Sequence, residues 1–295
     1  VIASVASLSL YRLNPGIDFT GGAAINVRYD ETIDSARIME SLVRIGQEDA
    51  VVQGTSGNSY FIRVGILELD QRDDSGQVVR RGEESAVRDA LNGLGSGEIV
   101  SFDSVSGVIG DENIRNAIIA VIVASIVILV YVTWAFRKVP TPFRYGVAAV
   151  IALIHDVFIV LGVFSVLGEA INLQVNAMFI TGVLTTIGYS VNDTIVVFDR
   201  LRENVARYPG AAINELVNVS VRETIGRSLN TSITLIVVVV ALLLFAGASI
   251  QPLLYVLLVG VAVGTYSSIF IASLTLVAWE QGEIGRFIRL LTFRR

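Results

Sequence analysis

The stretch of sequence that decides the fold is IRNAIIAVIVASIVILVYVTWAF, residues 114–136, in which Arg115 is the only charged side chain. About 20 consecutive apolar residues are enough for a helix to cross the hydrocarbon core of a bilayer. Because that core holds no water, a single crossing segment must pair its backbone groups internally, which a helix does. The stretch therefore predicts a membrane-spanning helix and an integral membrane protein.

Four further segments have the same apolar character: 144–167, 175–198, 229–248 and 252–278. Residues 1–13 resemble the last turns of another apolar helix, too short to cross alone, and we expect them to be the end of a first span. A signal peptide is the alternative, but neither a small-residue cleavage site nor a basic n-region is visible. The chain is 53% hydrophobic, above the 45–50% usual for soluble domains. We therefore predict a polytopic α-helical membrane protein of six spans, the first one truncated.

Among the short connections between the predicted spans, with the tail included, basic residues occur only in alternate ones. They are Arg137, Lys138 and Arg144, then Arg200, Arg202, Arg207, Arg222 and Arg227, and finally Arg286, Arg289, Arg294 and Arg295. The other short connections, 168–174 and 249–251, contain none. Arg and Lys mark the cytoplasmic side of a membrane protein. The large loop 14–112 is therefore predicted to be extracytoplasmic.

That loop is predicted to fold as an α+β domain of the ferredoxin-like type. Its expected strands are 23–29, 50–54, 59–64 and 98–105, and its expected helices are 34–46, begun by an Asp or Ser cap, and 83–95, ended by Gly95. A tight turn is expected at Gly57-Asn58, and 70–82 is expected to be an exposed loop. The order βαββαβ is typical of the split βαβ unit. With 18 acidic and 8 basic residues, the domain is unsuited to nucleic-acid binding.

The cytoplasmic regions are predicted to be a charged connection, 199–228, and a tail, 280–295. Pro209-Gly210 is expected to divide the connection into two short pieces. The second piece has an apolar face and is expected to lie along the membrane surface.

Asp193 is the ionisable residue with the most polar setting inside a predicted span. Gly182, Thr186 and Ser190 precede it at helical steps on one face, and Asn192 adjoins it, which predicts a polar stripe leading to the carboxylate. Burial favours the neutral form of a carboxylate and a nearby Arg favours the charged form, so a group between these effects can load and release protons.

Arg227 is the expected counter-charge for Asp193. It begins a polar face that continues through Asn230, Thr231 and Thr234. The alternative is a static Asp–Arg pair that only locks two helices together.

Asp156 lies near the middle of the third span, and its neighbours on the same helix face are all apolar. A charged group at that depth costs a few kcal/mol and marks a functional site by default. The alternative is a carboxylate that is hydrogen-bonded to a neighbouring helix. His155 is expected to point in another direction, towards lipid or a partner, in a structural role. Gly260 and Gly264 form a GxxxG pattern, followed by Thr265, Ser267 and Ser268, which predicts close helix packing.

Several classes of chemistry are excluded by the residue content. The chain has no cysteine and a single histidine, so it has neither a disulfide framework nor a multi-histidine zinc site. It also lacks a P-loop and a GxSxG motif, which argues against ATP hydrolysis and serine-type acyl transfer.

Five blocks of sequence resemble the SecF family. They are GIDFTGG (16–22), HDVFIVLGVFSVLG (155–168), GYSVNDTIVVFDRLREN (188–204), GRSLNTSIT (226–234) and GVAVGTYSSIFIAS (260–273). They occur in the order and spacing of that family and cover essentially the whole chain. The third block is the most specific of the five.

The resemblance implies a subunit of the bacterial cell membrane that pairs with SecD and belongs to the wider group of proton-driven RND transporters. The pair would bind the SecYEG channel and pull unfolded polypeptide outward, with the proton gradient as energy source and no cofactor. Asp193 and Arg227 match the functional membrane charges of the family, and Asp156 matches a further family position. Gly16, Asp18, Gly21 and Gly22 would join the first span to the outer domain.

Three alternatives belong to other functional classes. An intramembrane aspartyl protease would use Asp156 and Asp193, but the context Gly-Tyr-Ser-Val-Asn-Asp is not the Gly-x-Gly-Asp of such enzymes. A small-molecule RND exporter would need a substrate cavity that one half-sized module lacks. A purely structural translocon scaffold would tolerate Asp193→Asn without effect.

Overall fold

The structure, a computed structural model, describes residues 1–54, 57–68, 71–72, 78–245 and 247–282. The chain forms two compact units, residues 15–116 and residues 1–14 together with 117 onward. The first is an α+β unit and the second is a helical unit.

The helices in chain order are α1 (Ile2–Tyr11), α2 (Ile17–Thr20), α3 (Ser35–Val43), α4 (Glu83–Asn92), α5 (Gly107–Ala135), α6 (Pro142–Ile171), α7 (Ala177–Arg207), α8 (Ile213–Phe245), α9 (Gln251–Tyr266) and α10 (Ser273–Glu280). The strands are β1 (Gly22–Tyr29), β2 (Val51–Gly54), β3 (Ser59–Val64), β4 (Gln71–Arg72), β5 (Val78–Arg80) and β6 (Gly97–Val105). A 3₁₀ turn, Ala248–Ile250, precedes α9, and a π-helical turn, Ser267–Ala272, joins α9 to α10.

The α+β unit contains an antiparallel sheet with the strand order β2-β3-β1-β6. The four long strands and two helices alternate as predicted. In β1, every second residue is apolar and is buried against the helices. Ile25 lies opposite Ile62 and Phe102 in the sheet, and it shares the core with Leu42 of α3 and Leu91 of α4. The expected cap of α3 is confirmed, since the Asp34 carboxylate accepts a hydrogen bond of 2.9 Å from the Ala36 N–H.

Two local predictions in this unit are wrong. Helix α4 ends at Asn92 and is followed by Gly93, whereas the sequence favoured Gly95 as its end. The segment 70–82 is not simply a loop, because β4 and β5 pair within it, although part of the segment lies outside the described residues. The expected turn at Gly57-Asn58 is confirmed by left-handed φ angles of 72° and 55°.

Tyr29 fastens the end of β1 to the end of α4. Its hydroxyl donates a 2.9 Å hydrogen bond to the Leu91 carbonyl, and its ring meets the edge of Tyr60 at a centroid distance of 5.9 Å. Burial, and to a smaller extent Tyr60, raises the pKa of Tyr29 to about 12. The phenol therefore remains neutral, and remains a donor, up to strongly alkaline pH.

Within the described residues, four helices of the chain are long and apolar enough to cross a membrane. They are Ile109–Ala135, Pro142–Ile171, Ile213–Phe245 and Gln251–Glu280. Helix α7 has 31 residues but is not among the four, since Thr, Ser, Asn and Asp side chains interrupt its apolar sequence. It contacts α6, α8 and α9, so the most polar of the long helices occupies the centre of the helical unit.

The predicted cytoplasmic connection is divided at Pro209-Gly210 as expected, but its two pieces are not short, separate elements. Helix α7 continues to Arg207, and α8 begins at Ile213 and runs unbroken to Phe245. These extensions are held together by Arg200, whose Nε lies 2.7 Å from Glu223 Oε2, and by Asn204, whose Nδ2 donates to Ser220 Oγ at 2.9 Å. Pro209-Gly210 thus separates two long helices instead of starting a surface helix. Residues 283–295 of the predicted tail lie outside the described residues.

Candidate functional site

Small residues bring α7 and α9 into close contact. A Cβ atom on Gly260 would lie 2.5 Å from Thr186 Cγ2, and one on Gly264 would lie 2.9 Å from Ser190 Cβ. Gly182 packs in the same way, since its Cβ would lie 2.8 Å from Val256 Cβ. The predicted GxxxG packing is confirmed, and it places the polar residues of α7 against α9 and the π-helical turn.

Asp156 of α6 accepts hydrogen bonds from two other elements of the bundle. Its Oδ2 receives one from Ser190 Oγ of α7 and one from Ser267 Oγ of the π-helical turn, each 2.7 Å long. The neighbouring His155 places Nδ1 3.1 Å from Asp156 Oδ1. The carboxylate is buried and well supplied with partners, so it joins three helical segments at one point.

These contacts correct two expectations. His155 does not point away to lipid, because its ring turns back to Asp156 and its side chain is only 17% exposed. Ser190 does not lead to Asp193, because its hydroxyl is bonded to Asp156. The sequence did not predict these hydrogen bonds, because the neighbours of Asp156 on its face of α6 are apolar and both serine donors come from other parts of the chain.

Asp193 is even less exposed, at 3%, but has fewer partners. The Asp193 carboxylate lies near the hydroxyl groups of Thr265 and Ser228 and near the charge of Arg227. These groups favour its ionised form. Nevertheless, Asp193 Oδ2 and Ser228 Oγ are buried atoms without a hydrogen-bond partner. An unsatisfied buried carboxylate oxygen is costly, and such atoms in a folded protein call for a functional explanation.

A row of hydroxyl groups adjoins this carboxylate. Tyr189 Oη and Ser232 Oγ are 2.8 Å apart, and Ser232 Oγ is also hydrogen-bonded to Thr265 Oγ1. The row draws on α7, α8 and α9, and its Thr265 hydroxyl lies near the Asp193 carboxylate. Because each hydroxyl can both donate and accept, such a row can pass a proton between neighbours.

The expected polar stripe around Asp193 is therefore only partly present. Thr186 is buried, but its hydroxyl donates to the Val183 carbonyl of its own helix. Asn192 is exposed on the outside of the bundle. The groups that do face Asp193 come from α8 and α9, at Ser228 and Thr265.

Arg227 lies close enough to Asp193 for its charge to act there, but the two side chains are not an ion pair. Within the described part of the chain, no ion pair of 4.0 Å or less joins them, and Arg227 is exposed. Asn230, Thr231 and Thr234 are exposed as well. The buried polar face of α8 consists instead of Ser228 and Ser232, offset from the face that begins at Arg227.

Sequence reasoning missed Tyr189, Ser228 and Ser232 as neighbours of Asp193. Ser228 and Ser232 are four residues apart, the spacing of one helix face, and this was the available signal. The signal was obscured by the larger polar residues on the face of α8 that begins at Arg227.

The sequence GIDFTGG forms a tight connection at the start of the α+β unit. Gly16 precedes α2, and the Asp18 carbonyl accepts a 2.9 Å hydrogen bond from Asn113 Nδ2. Gly21 and Gly22 have φ angles of 73° and 121°, which side-chain-bearing residues rarely adopt. A Cβ on Gly22 would also lie 2.6 Å from the Val64 carbonyl oxygen. Both the φ angles and the close approach therefore require glycine at this connection.

Comparison with known proteins identifies the family. Residues 86–282 match the family described as protein export membrane protein SecD/SecF, C-terminal, and residues 6–33 match the SecD/SecF GG motif. The chain belongs to the SecF family. It is accordingly a SecF-type subunit of the Sec protein translocation machinery, a multi-pass protein of the bacterial inner membrane and a transport subunit, not an enzyme. The intramembrane protease alternative is thereby removed.

Relatives of two kinds cover nearly the whole chain. The protein translocase subunit SecF of Thermobaculum terrenum is 38% identical over 98% of this chain and 92% of its own length. The protein translocase subunit SecDF of Bacillus subtilis is 35% identical over 97% of this chain but only 36% of its own length. The crystal structure of SecDF, a translocon-associated membrane protein from Thermus thermophilus, superimposes with a TM-score of 0.78 at 31% identity, covering 95% of this chain and 36% of that one.

Proposed function

We propose that this SecF-family subunit acts with SecD to promote proton-gradient-driven export of unfolded polypeptide through SecYEG. The single observation that carries the proposal is the Asp193 carboxylate, which is buried at the centre of the helical unit with one oxygen unpartnered. Association with SecD and the translocon is supported by family membership and by the fused SecDF relatives.

The proposed architecture has six crossings with a ferredoxin-like domain outside the cell. Four apolar helices supply crossings, and α7 supplies another, since its polar side chains Ser190, Asp193 and Thr194 are buried within the bundle instead of facing lipid. The apolar α1 contributes to the first crossing. The distribution of Arg and Lys among the connections supports a cytoplasmic location for the α7–α8 extensions and an extracytoplasmic location for residues 14–112.

In the proposed coupling step, Asp193 takes up a proton and passes it on. The free Oδ2 is the acceptor, and the hydroxyl row from Thr265 through Ser232 to Tyr189 offers a route. Arg227 acts through its nearby charge, stabilising the ionised carboxylate without holding it in a fixed pair. Neutralisation of Asp193 removes that attraction and lets α7 and α8 shift.

Asp156 has a different part in this proposal. Its hydrogen bonds to Ser190 and Ser267 tie α6 to α7 and to the last helix, so it couples a movement of α7 to its neighbours. The energy scale is adequate: one proton crossing 100 mV releases about 2.3 kcal/mol. At about 1.4 kcal/mol per tenfold change, this shifts a two-state equilibrium roughly fiftyfold.

The test is gradient-dependent export of a secreted precursor by an Asp193→Asn variant. The matched control is Asp199→Asn on the same helix, whose carboxylate is 48% exposed and pairs with Arg202 at 2.6 Å. We expect Asp193→Asn to reduce export to the level seen without a gradient, with unchanged protein level and SecD association, and Asp199→Asn to retain export. Unimpaired export by Asp193→Asn would instead support the scaffold alternative.

A small-molecule exporter remains the second functional alternative within the RND group. It predicts that the Asp193→Asn variant loses efflux of a small compound while precursor export continues. Measuring both activities in the same vesicles separates the two functions.

A further inference from the structure

The last membrane helix is interrupted by the π-helical turn Ser267–Ala272, between α9 and α10. A π-helical turn closes i→i+5 hydrogen bonds, so it accommodates one extra residue within a helix. Such turns are rare in proteins overall, but those that occur often lie at functional sites. This one lies directly beside the buried carboxylate of Asp156.

Two consecutive serines of the turn bind two different helices. Ser267 Oγ donates to Asp156 Oδ2 of α6 at 2.7 Å, and Ser268 Oγ donates to the Ser190 carbonyl of α7 at 2.8 Å. Thr194 Oγ1 of α7 in turn donates to Ser268 Oγ at 2.8 Å. Both serines are completely buried. The turn is therefore fixed on its N-terminal side by α6 and α7 together.

A second contact fixes the far end of α10 to the start of α6. Glu280 Oε2 lies 2.8 Å from Arg144 Nη1, and Glu280 Oε1 accepts a 2.6 Å hydrogen bond from Thr141 Oγ1. Helix α6 thus contacts the last helix at two levels, Asp156 with Ser267 and Arg144 with Glu280.

The spacing of these contacts differs between the two helices. Positions 144 and 156 are twelve residues apart on α6, whereas positions 267 and 280 are thirteen apart on the last helix. Two regular α-helices rise equally, by about 1.5 Å per residue, so the second contact would be out of register by one residue. The π-helical turn absorbs that residue and allows both contacts to form together.

We propose that this turn is a register switch, which changes between π-helical and α-helical form as the Asp156–Ser267 contact is made and released. Conversion to α-helix, with all residues retained, advances α10 by about 1.5 Å and rotates it by about 100°. The rotation carries Glu280 away from Arg144. The position of the cytoplasmic end of the last helix then depends on whether the Asp156–Ser267 contact is made. This step rests on the proposed coupling function.

Deletion of Ile271 tests the switch, because it removes the extra residue and leaves a regular α-helix with both contacts in register. The control is Ile271→Ala, which keeps the residue count. We expect the deletion to reduce gradient-dependent export at least fivefold while Ile271→Ala retains it. Normal export by the deletion variant would overturn the proposal. If that variant is normal while Asp193→Asn is inactive, the switch alone fails and the proposed function stands.

A second measurement applies even if the deletion variant does not assemble. The chain has no cysteine, so the pair Arg144→Cys and Glu280→Cys provides two specific sites for a short bifunctional thiol cross-linker. We expect cross-linking in SecD-containing membrane vesicles to fall severalfold when a proton gradient is imposed. Equal rates with and without the gradient would contradict a moving register.

Discussion

Asp156 and Asp193 are two buried carboxylates in one helical bundle, and their surroundings differ. Asp156 receives two serine hydrogen bonds and contacts His155, whereas Asp193 retains an oxygen with no partner. A fully hydrogen-bonded carboxylate holds its neighbours in place, while an incompletely bonded one is free to change its protonation and its contacts. Burial alone does not distinguish the two carboxylates, whereas the number of hydrogen-bond partners does.

The largest expected difference is in stability. Asp156→Asn replaces an acceptor of two hydroxyl hydrogen bonds by an amide, and hydrogen bonds between membrane helices are worth up to about 1.7 kcal/mol each. We expect it to destabilise the bundle by about 1–3 kcal/mol. Asp193→Asn should leave stability unchanged or increase it, because it removes an unsatisfied buried charge. Thermal unfolding of the SecD-bound protein in detergent measures both, and equal destabilisation would remove the distinction between the two sites.

The serine donors of Asp156 are expected to have smaller, coupled effects. Ser190→Ala and Ser267→Ala each remove one 2.7 Å hydrogen bond and should cost about 0.6–1.7 kcal/mol. In an Asp156→Ala background, each serine substitution should cost much less, because its acceptor has been removed. A double-mutant cycle on thermal stability tests this coupling. Identical costs in both backgrounds would show that the serines stabilise the bundle independently of Asp156.

The smallest expected stability effect is at Ser228. Its buried Oγ has no hydrogen-bond partner, so Ser228→Ala should change stability by less than about 0.5 kcal/mol. Because this hydroxyl acts on Asp193, we expect gradient-dependent export to fall severalfold. Ser125→Ala is the matched control, since that hydroxyl donates only to the Val121 carbonyl of its own helix. A loss of stability above 1 kcal/mol would show that Ser228 holds the bundle together instead.

The membrane helices and the alternation of strands and helices were predictable because both depend on patterns within short segments. Apolar runs such as 114–136 must be helical in lipid, and the alternating residues of β1 need a core on one side. The continuity of α8 was not predictable in this way. Pro209-Gly210 ends α7, but nothing in the local sequence shows whether Ile213 begins a short helix or a long one.

The contacts of the buried carboxylates depend on how the helices pack, which a single helix face does not show. Ser190 is on the same face as Asp193 by spacing, yet Asp156 is its partner because α6 lies against that part of α7. Ser267 reaches Asp156 from a position 111 residues further along the chain, and the π-helical turn that presents it has no sequence signature in the patterns used for prediction.

The glycine-rich connection at the start of the α+β unit has a consequence for the chain as a whole. A Cβ on Gly21 would lie 2.9 Å from the Cα of Gly107, and one on Gly110 would lie 2.7 Å from the Phe19 carbonyl oxygen. The polypeptide therefore enters and leaves this unit side by side, with no side chain between the two passes. Adjacent ends are typical of domains that are inserted into another chain. The α+β unit can therefore be moved into another protein or circularly permuted, because joining its ends costs little conformational entropy.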